Sequence, residues 1–295
     1  MKCRTGASDD AATGHNCRRS PPDSLFTRRA KRCTMSPMPV SQTEIKTSSG
    51  SYQADIATPE GTGPWPAVIL FFDAGGRRPA MTEIAERIAK SGYVVAIPDI
   101  FHRAGPVTDL LPPGTTLEKG ITQTIFSNDE SKQRFFTEYY GPALAYDNLK
   151  ADTEAVLTYL HGRSDVKPGP VGTTGYCLGG NASYRVATMF GDKVAATATF
   201  HAGGLVSDGP DSPHTRTAKI KSTVYVAGAS ADASFSDDAK KTLIATLEAA
   251  HVKNTVETYP GGHGFAVRDH EGVYDPACAE RHFEAMDKLF AATLK

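Results

Sequence analysis

The sequence predicts an α/β fold, a mostly parallel central sheet covered by helices on both faces. Two observations predict it. The run Ala67-Val68-Ile69-Leu70-Phe71-Phe72 is continuously apolar, as a strand buried on both faces must be. From residue 67 onward such runs alternate with helical periods at βαβ spacing. The composition agrees: 295 residues, 40% apolar and 22% charged, suit a globular domain with a tail or two small domains.

The elements follow in order. Thr43–Ile45–Thr47 and Tyr52–Ala54–Ile56 alternate around Ser49-Gly50, which predicts an N-terminal antiparallel hairpin. The strand from Ala67 ends in the sharp turn Asp73-Ala74-Gly75-Gly76. Ile84, Ala85, Ile88 and Ala89 share one face of a helix over Thr82–Lys90. Tyr93–Ile97 is the next strand, closed by Pro98. Residues 99–141, broken by Gly105-Pro106 and Pro112-Pro113-Gly114, are expected to form excursions and short helices. Pro142–Leu160 is predicted as a helix with Ala145, Leu149, Val156 and Leu160 in register. Strands are predicted at Val171–Thr174, Ala195–His201, Ser222–Gly228 and Thr255–Tyr259. Helices are predicted from the elbow through Met189, at Asp237–His251 and at Pro276–Leu294.

Charge and cysteine usage bound the partners. The net charge of −1 argues against a nucleic-acid groove, which needs a concentrated basic surface. No run of roughly 18 apolar residues exists, so no membrane-spanning helix is expected. Residues 1–34 hold eight Lys or Arg against three acids and few large apolar residues. Residues 1–37 are therefore expected to be a disordered tail before a domain at 38–295. An upstream start, with Met35 or Met38 as the domain's own initiator, accounts for such a tail better than an Arg-rich transit segment. Five cysteines, an odd number without a signal-peptide apolar stretch, point to a reducing, cytoplasmic setting.

The chemistry centres on Gly175-x-Cys177-x-Gly179-Gly180, between a predicted strand and a predicted helix. This is the nucleophile-elbow pattern with sulfur in place of oxygen. Glycines two residues either side allow a tight turn that projects the side chain at the sheet's C-terminal edge. The helix N-terminus beneath favours a thiolate, and the backbone N–H of Leu178 points at a developing oxyanion. A buried structural cysteine or a phosphate loop would be the plainer reading. The latter lacks the required Lys-Ser/Thr.

An elbow requires an acid and then a histidine after later strands. Asp232 follows the strand ending at Gly228, and His263 sits in Pro260-Gly261-Gly262-His263-Gly264-Phe265 after the next. Asp237 and Asp238 read instead as the acidic first turn of a helix. His201 is read as a loop histidine. His201, His214 and His263 lack helical metal-site spacing, so no metal is expected.

These strings resemble the dienelactone hydrolase family, the cysteine-nucleophile branch of the α/β-hydrolase fold, over about Ile45 to Phe290. Gly-Tyr-Cys-Leu-Gly-Gly stands at 175–180, Gly-x-x-x-Asp at 228–232, Gly-His-x-Phe at 262–265 and Pro-Asp at 98–99. The resemblance implies an ester or lactone hydrolase. Cys177 would be its nucleophile, His263 its base and acid, and Asp232 the orienting acid. Leu178 and Ala74 N–H groups would hold the oxyanion, and no cofactor is needed. Asp73 stands where the family has a Glu that touches the resting thiol, one methylene shorter. The family's arginine four residues after the histidine is here Val267, with Arg268 next. Arg268 and Phe265 are the expected substrate contacts, and Arg134 is a further candidate. Arg77, Arg78 and Arg103 read as solvated charges. A small-molecule substrate and a monomer or small homo-oligomer are expected. A thiol-based redox or stress-response protein, or a non-catalytic binder on this fold, are the alternatives.

Overall fold

A computed structural model describes residues 40–47, 50–115, 117, 120–230 and 232–295. The tail expected over residues 1–37 lies outside them. Strands β1 (Val40–Thr47) and β2 (Gly50–Ala57) form the expected hairpin, with Thr47 opposite Gly50. Strands β3 (Ala67–Phe71) and β4 (Val94–Pro98) flank helix α1 (Pro79–Lys90). Then come β5 (Val171–Tyr176), β6 (Val194–Phe200), β7 (Thr223–Ala229) and β8 (Asn254–Tyr259). The sheet order is β1-β2-β4-β3-β5-β6-β7-β8. Only the pairings of β2 with β1 and β4 are antiparallel, so the predicted mostly parallel sheet is present.

Strand β5 shows why two helical layers are needed. Its residues alternate between faces. Thr173 hydrogen-bonds Ser183 of helix α6 (Leu178–Phe190), and Gly175 lies against Gly179 of the same helix. The intervening residues face helix α8 (Pro276–Leu294): Gly172 lies against Phe290 and Leu294, and Tyr176 meets His282 at 3.1 Å. On that side α1 joins α8 through Arg87, which is bidentate to Glu280 and stacked over Phe283. A helix α7 (Asp237–Ala249) precedes β8, with Ser236 as its N-cap and Asp237 and Asp238 in its first turn.

The irregular stretch holds short helices, as expected: α2 (Ile121–Phe126), α3 (Asp129–Arg134) and α4 (Gly141–Leu144). One π-helical segment, Phe135–Tyr140, joins α3 to α4. The helix predicted from Pro142 is different. It breaks at Ala145, whose ψ is 129°, and resumes as α5 (Tyr146–His161). Upstream of the break stands Pro142, which has no N–H to give its i−4 carbonyl. The ladder widens before it, Gly141 N–H reaching back to Phe136, and Asn148 Nδ2 takes up the Pro142 carbonyl at 2.9 Å. Among the described residues no helix is long and apolar enough to cross a membrane.

The tightest packing in the fold is backbone on backbone. A methyl group on Gly179 would stand 2.2 Å from the Phe71 carbonyl oxygen, and one on Gly175 would stand 2.0 Å from the Gly179 carbonyl oxygen. Neither obstacle is a side chain that can rotate away. Gly179→Ala should therefore destabilise the protein by about 3 kcal/mol or more, read as a shifted urea midpoint. An unshifted midpoint would mean that α6 can lift from β3 without cost.

Candidate active site

Cys177 lies between β5 and α6 with φ 55° and ψ −119°, a conformation uncommon for a residue with a side chain. The turn is held from both sides. Cys177 N–H donates to the Phe200 carbonyl at 3.1 Å, and the Cys177 carbonyl accepts from Gly180 N at 3.0 Å and Asn181 N at 3.3 Å. The next N–H in the chain, that of Leu178, is the first of α6. A helix leaves its first N–H groups without intrahelical partners, so this one is available to an oxygen.

The residues expected beside it are there. His263 Nδ1 is 2.8 Å from Asp232 Oδ2. A carboxylate only accepts, so Nδ1 carries the proton and Nε2 is the free ring nitrogen, with Cys177 within electrostatic reach of the ring. Asp232 is fixed in turn by Ser234, whose N–H and hydroxyl both donate to Oδ1, at 2.9 and 2.6 Å. Burial opposes charge on His263, but the hydrogen bond to Asp232 and the neighbouring Cys177 outweigh it and push the imidazole up to about 10. Burial likewise works against the Asp232 carboxylate. His263 and Ser234 overcome it and hold the group down to about 2. The stabilisation from His263 is thus complete below its ordinary 6.5 and lost as pH rises through about 10. That from Asp232 is complete above the ordinary carboxylate range and lost as pH falls through about 2.

Asp73 has a different setting. It is fully buried. Its Oδ1 accepts from Gly75 N at 2.8 Å and Arg78 at 2.6 Å, while Oδ2 meets Arg78 at 2.9 Å and His270 Nε2 at 2.9 Å. Burial opposes its charge, and Arg78 with His270 holds the carboxyl well below its usual range all the same. Asp73 thus pins the turn carrying Ala74 to a buried ion cluster. Arg78, expected as a solvated charge, is instead fully buried and shared between Asp73 and Asp269, its Nε at 2.6 Å from the latter. A guanidinium can be buried this way only when both its edges meet carboxylates. Arg77 pairs with Asp55 and Asp99, and Arg103 with Asp152.

Two expected substrate contacts sit elsewhere. Arg268 is mostly exposed and pairs with Glu83 of α1. The chain after His263 folds in tight turns, Val267 N–H to the Gly264 carbonyl and His270 N–H to Val267, so Val267 points inward and Arg268 outward. Phe265 is fully buried, stacked on Tyr259 and edge-on to His201. It supports the His263 loop from beneath. Arg134 is exposed and paired with Glu138.

His201 lies in the bend directly after β6 yet is not solvated. It stands at φ 40°, fully buried, its ring 5.3 Å from that of His263. Neither ring nitrogen has a hydrogen-bond partner, and burial drives its pKa well below 6.5. It therefore presents a neutral ring to His263. Sequence reasoning also missed Ser234, Asn181 and Tyr140. The aromatic run Phe135-Phe136-Thr137-Glu138-Tyr139-Tyr140 was the one available signal for the last. Burial, then the nearby Cys177, raises the Tyr140 phenol. Among the described residues no group of three or more His, Cys, Asp or Glu is placed to hold a metal ion.

The model of the dienelactone hydrolase family matches residues 52–294. A Synechocystis protein named "Putative carboxymethylenebutenolidase" is 28% identical over 245 residues, 81% of this chain and 91% of its own. A carboxymethylenebutenolidase of a Pseudomonas species is 28% identical over 138 residues, 47% of this chain and 50% of its own. A crystal structure titled as a putative dienelactone hydrolase from Klebsiella pneumoniae superposes with a TM-score of 0.73 at 20% identity, covering 86% of this chain and 98% of that one. The chain belongs to the dienelactone hydrolase family, whose class is that of the carboxylic ester hydrolases.

Two measurements check the electrostatics. Asp232→Asn removes the anion that favours the imidazolium, so His263 should titrate downward from about 10 toward 6.5 in a proton NMR titration. A value left near 10 would assign the shift to Cys177 alone. Arg78→Met leaves Asp73 and Asp269 buried without a cation. It should cost about 3–5 kcal/mol in chemical denaturation, and a cost under about 1 kcal/mol would place water in the cluster.

Proposed function

We propose that this member of the family hydrolyses a small-molecule ester or lactone through a covalent thioester on Cys177. The observation that carries the reading is the line Asp232–His263–Cys177, with 2.8 Å between Asp232 Oδ2 and His263 Nδ1. The names of the relatives, carboxymethylenebutenolidases, make a dienelactone the first substrate to try.

The sulfur attacks the carbonyl carbon while His263 holds the thiol proton. The C–S bond forms, and the carbonyl electron pair moves onto oxygen, facing the Leu178 and Ala74 N–H groups. When this tetrahedral adduct collapses, the C–O bond breaks and His263 passes its proton to the leaving alkoxide. In a lactone that oxygen stays tethered. The neutral imidazole then takes a proton from water, hydroxide adds to the thioester, and the C–S bond breaks to return the thiolate. Asp232 keeps the Nδ1 proton in place throughout and stabilises each imidazolium. No step calls for a cofactor. Helix α6, with its positive end at the sulfur, favours the anionic nucleophile at both ends of the cycle.

Turnover of a short-chain aryl ester, with and without thiol alkylation, tests the reading. Cys177→Ala should lower kcat at least 10³-fold while the melting temperature holds, and His263→Ala nearly as far. The two losses should be far from additive, because each residue acts through the other. Mass spectrometry of the wild type after brief incubation should find the acyl group on Cys177. If Cys177→Ala keeps more than about a tenth of the wild-type rate, the covalent mechanism is wrong.

A further inference from the structure

The sheet ends at β8, which pairs with β7 on one side and, among the described residues, with no strand on the other. Two hydrogen bonds give the direction of its backbone groups. Val224 N–H donates to the Lys253 carbonyl at 2.9 Å, and Ser230 N–H donates to the Tyr259 carbonyl at 2.9 Å. In a parallel ladder every second residue of a strand bonds a given neighbour. Lys253, Thr255, Glu257 and Tyr259 therefore turn their backbone groups toward β7. The N–H and C=O groups of Asn254, Val256 and Thr258 point out of the sheet. Such a row is a template for another strand unless something covers or repels it.

The side chains alternate as well. Val256 packs with the apolar cluster that holds Leu243 and Leu247 of α7. Lys253, Thr255 and Glu257 stand on the opposite face, where they line a groove of about 570 Å³ between β8 and α8. Glu257 pairs with Arg281 of α8. Lys253 lines the same groove and, among the described residues, has no carboxylate within 4 Å.

These charges make the edge complementary to itself. Two copies of β8 that meet edge to edge about a two-fold axis run antiparallel. Since the outward groups belong to Asn254, Val256 and Thr258, few registers let them exchange hydrogen bonds. With Thr255 on the axis, Asn254 bonds Val256 of the second copy, and Lys253 lies directly opposite Glu257 of the second copy, twice over. With Val256 on the axis, Lys253 faces Tyr259 and Glu257 faces Thr255. With Asn254 there, Lys253 faces Thr255, and with Glu257 there two carboxylates collide. The first register alone sets Lys253 against Glu257. It makes them a non-hydrogen-bonded pair, whose Cα atoms approach to about 4.5 Å, and opposite charges so placed stabilise a sheet.

We propose that β8 is an interface between two copies of this chain, joined antiparallel about Thr255 into one continuous sheet. Lys253 of each copy pairs with Glu257 of the other, so that each Glu257 lies between its own Arg281 and the second copy's Lys253. The axis stands normal to the sheet and sets the two α8 grooves side by side over the joined strands. The joined strand is also the one that runs on through Pro260 into the His263 loop.

Sedimentation equilibrium of the full chain tests this, in reducing buffer so that no disulfide contributes, and in low salt, where a charged pair is least screened. The wild type should sediment at twice the 31.5 kDa of one chain. Lys253→Glu opposes like charges twice and should weaken the dimer at least tenfold, and Glu257→Lys should do the same. Mixed in equal amounts, these two variants should form a dimer holding one of each, because every acid then faces a base. Thr255→Lys repels its own copy on the axis and should also dissociate, whereas with Val256 on the axis it would face Glu257 and tighten the dimer. Circular dichroism checks that each variant folds, and any two of the three decide the matter. A wild-type chain that stays monomeric at tens of micromolar leaves the edge to a different occupant and overturns the inference. So do variants that dimerise as the wild type does, a mixture that stays monomeric, or a Thr255→Lys dimer tighter than the wild type.

Discussion

Everything at the site depends on how closely helix α6 approaches the backbone of β3. Glycine at 179 lets its Cα lie against the Phe71 and Phe72 carbonyls, where a methyl group would be 2.2 and 2.3 Å from oxygen. Glycine at 175 closes the strand-to-helix turn from the other side. With both in place the chain can pass from strand to helix through one residue, and that residue takes the positive φ of 55°. The strain is met by three backbone hydrogen bonds at Cys177 and by burial of α6 along the sheet. The placement of the Cys177 side chain is thus a property of the main chain.

A second constraint is electrostatic. Asp73, Arg78, Asp269 and His270 form an ion cluster with almost no exposure. Its members come from the turn after β3 and from the segment after the His263 loop, positions about 190 residues apart. Breaking one partner of such a cluster costs more than the whole is worth against an apolar replacement. That asymmetry suits a site assembled from two loops. The cluster tolerates one arrangement, and in it the Ala74 turn and the His263 loop face each other across Cys177. His201 fits the same logic. A buried imidazole with no hydrogen bond is a poor contributor to stability. As a neutral ring packed against His263, it keeps water and competing donors from that face.

The sheet, the elbow and the order Cys177, Asp232, His263 were legible in the sequence because each follows from a local rule. Buried parallel strands must be continuously apolar, tight turns need glycine, and elbow partners follow later strands. The long-range pairings were not legible. Nothing local distinguishes Arg78, fully buried between Asp73 and Asp269, from Arg77 beside it, partly exposed between Asp55 and Asp99. Arg268 seemed well placed by counting from His263, but successive tight turns between Gly262 and His270 leave Val267 buried and Arg268 exposed. Helix α5 began later than its periodicity suggested because apolar spacing is blind to the backbone break at Ala145. His201 was misread for a related reason: a histidine after a strand carries no sequence mark of how deeply its ring is buried.

These facts divide the site into a part that can vary and a part that cannot. Cys177, the Leu178 N–H and the turn between β5 and α6 are fixed by backbone contacts and by glycines that admit no replacement without moving α6 or β3. Asn181, Arg185 and Tyr140 are of another kind. Asn181 and Arg185 project from successive turns of α6, and Tyr140 from the π-helical segment before Pro142. Each is a side chain on an element whose backbone would stand without it. A charge can therefore be gained, lost or moved there without disturbing the line from Asp232 to the sulfur.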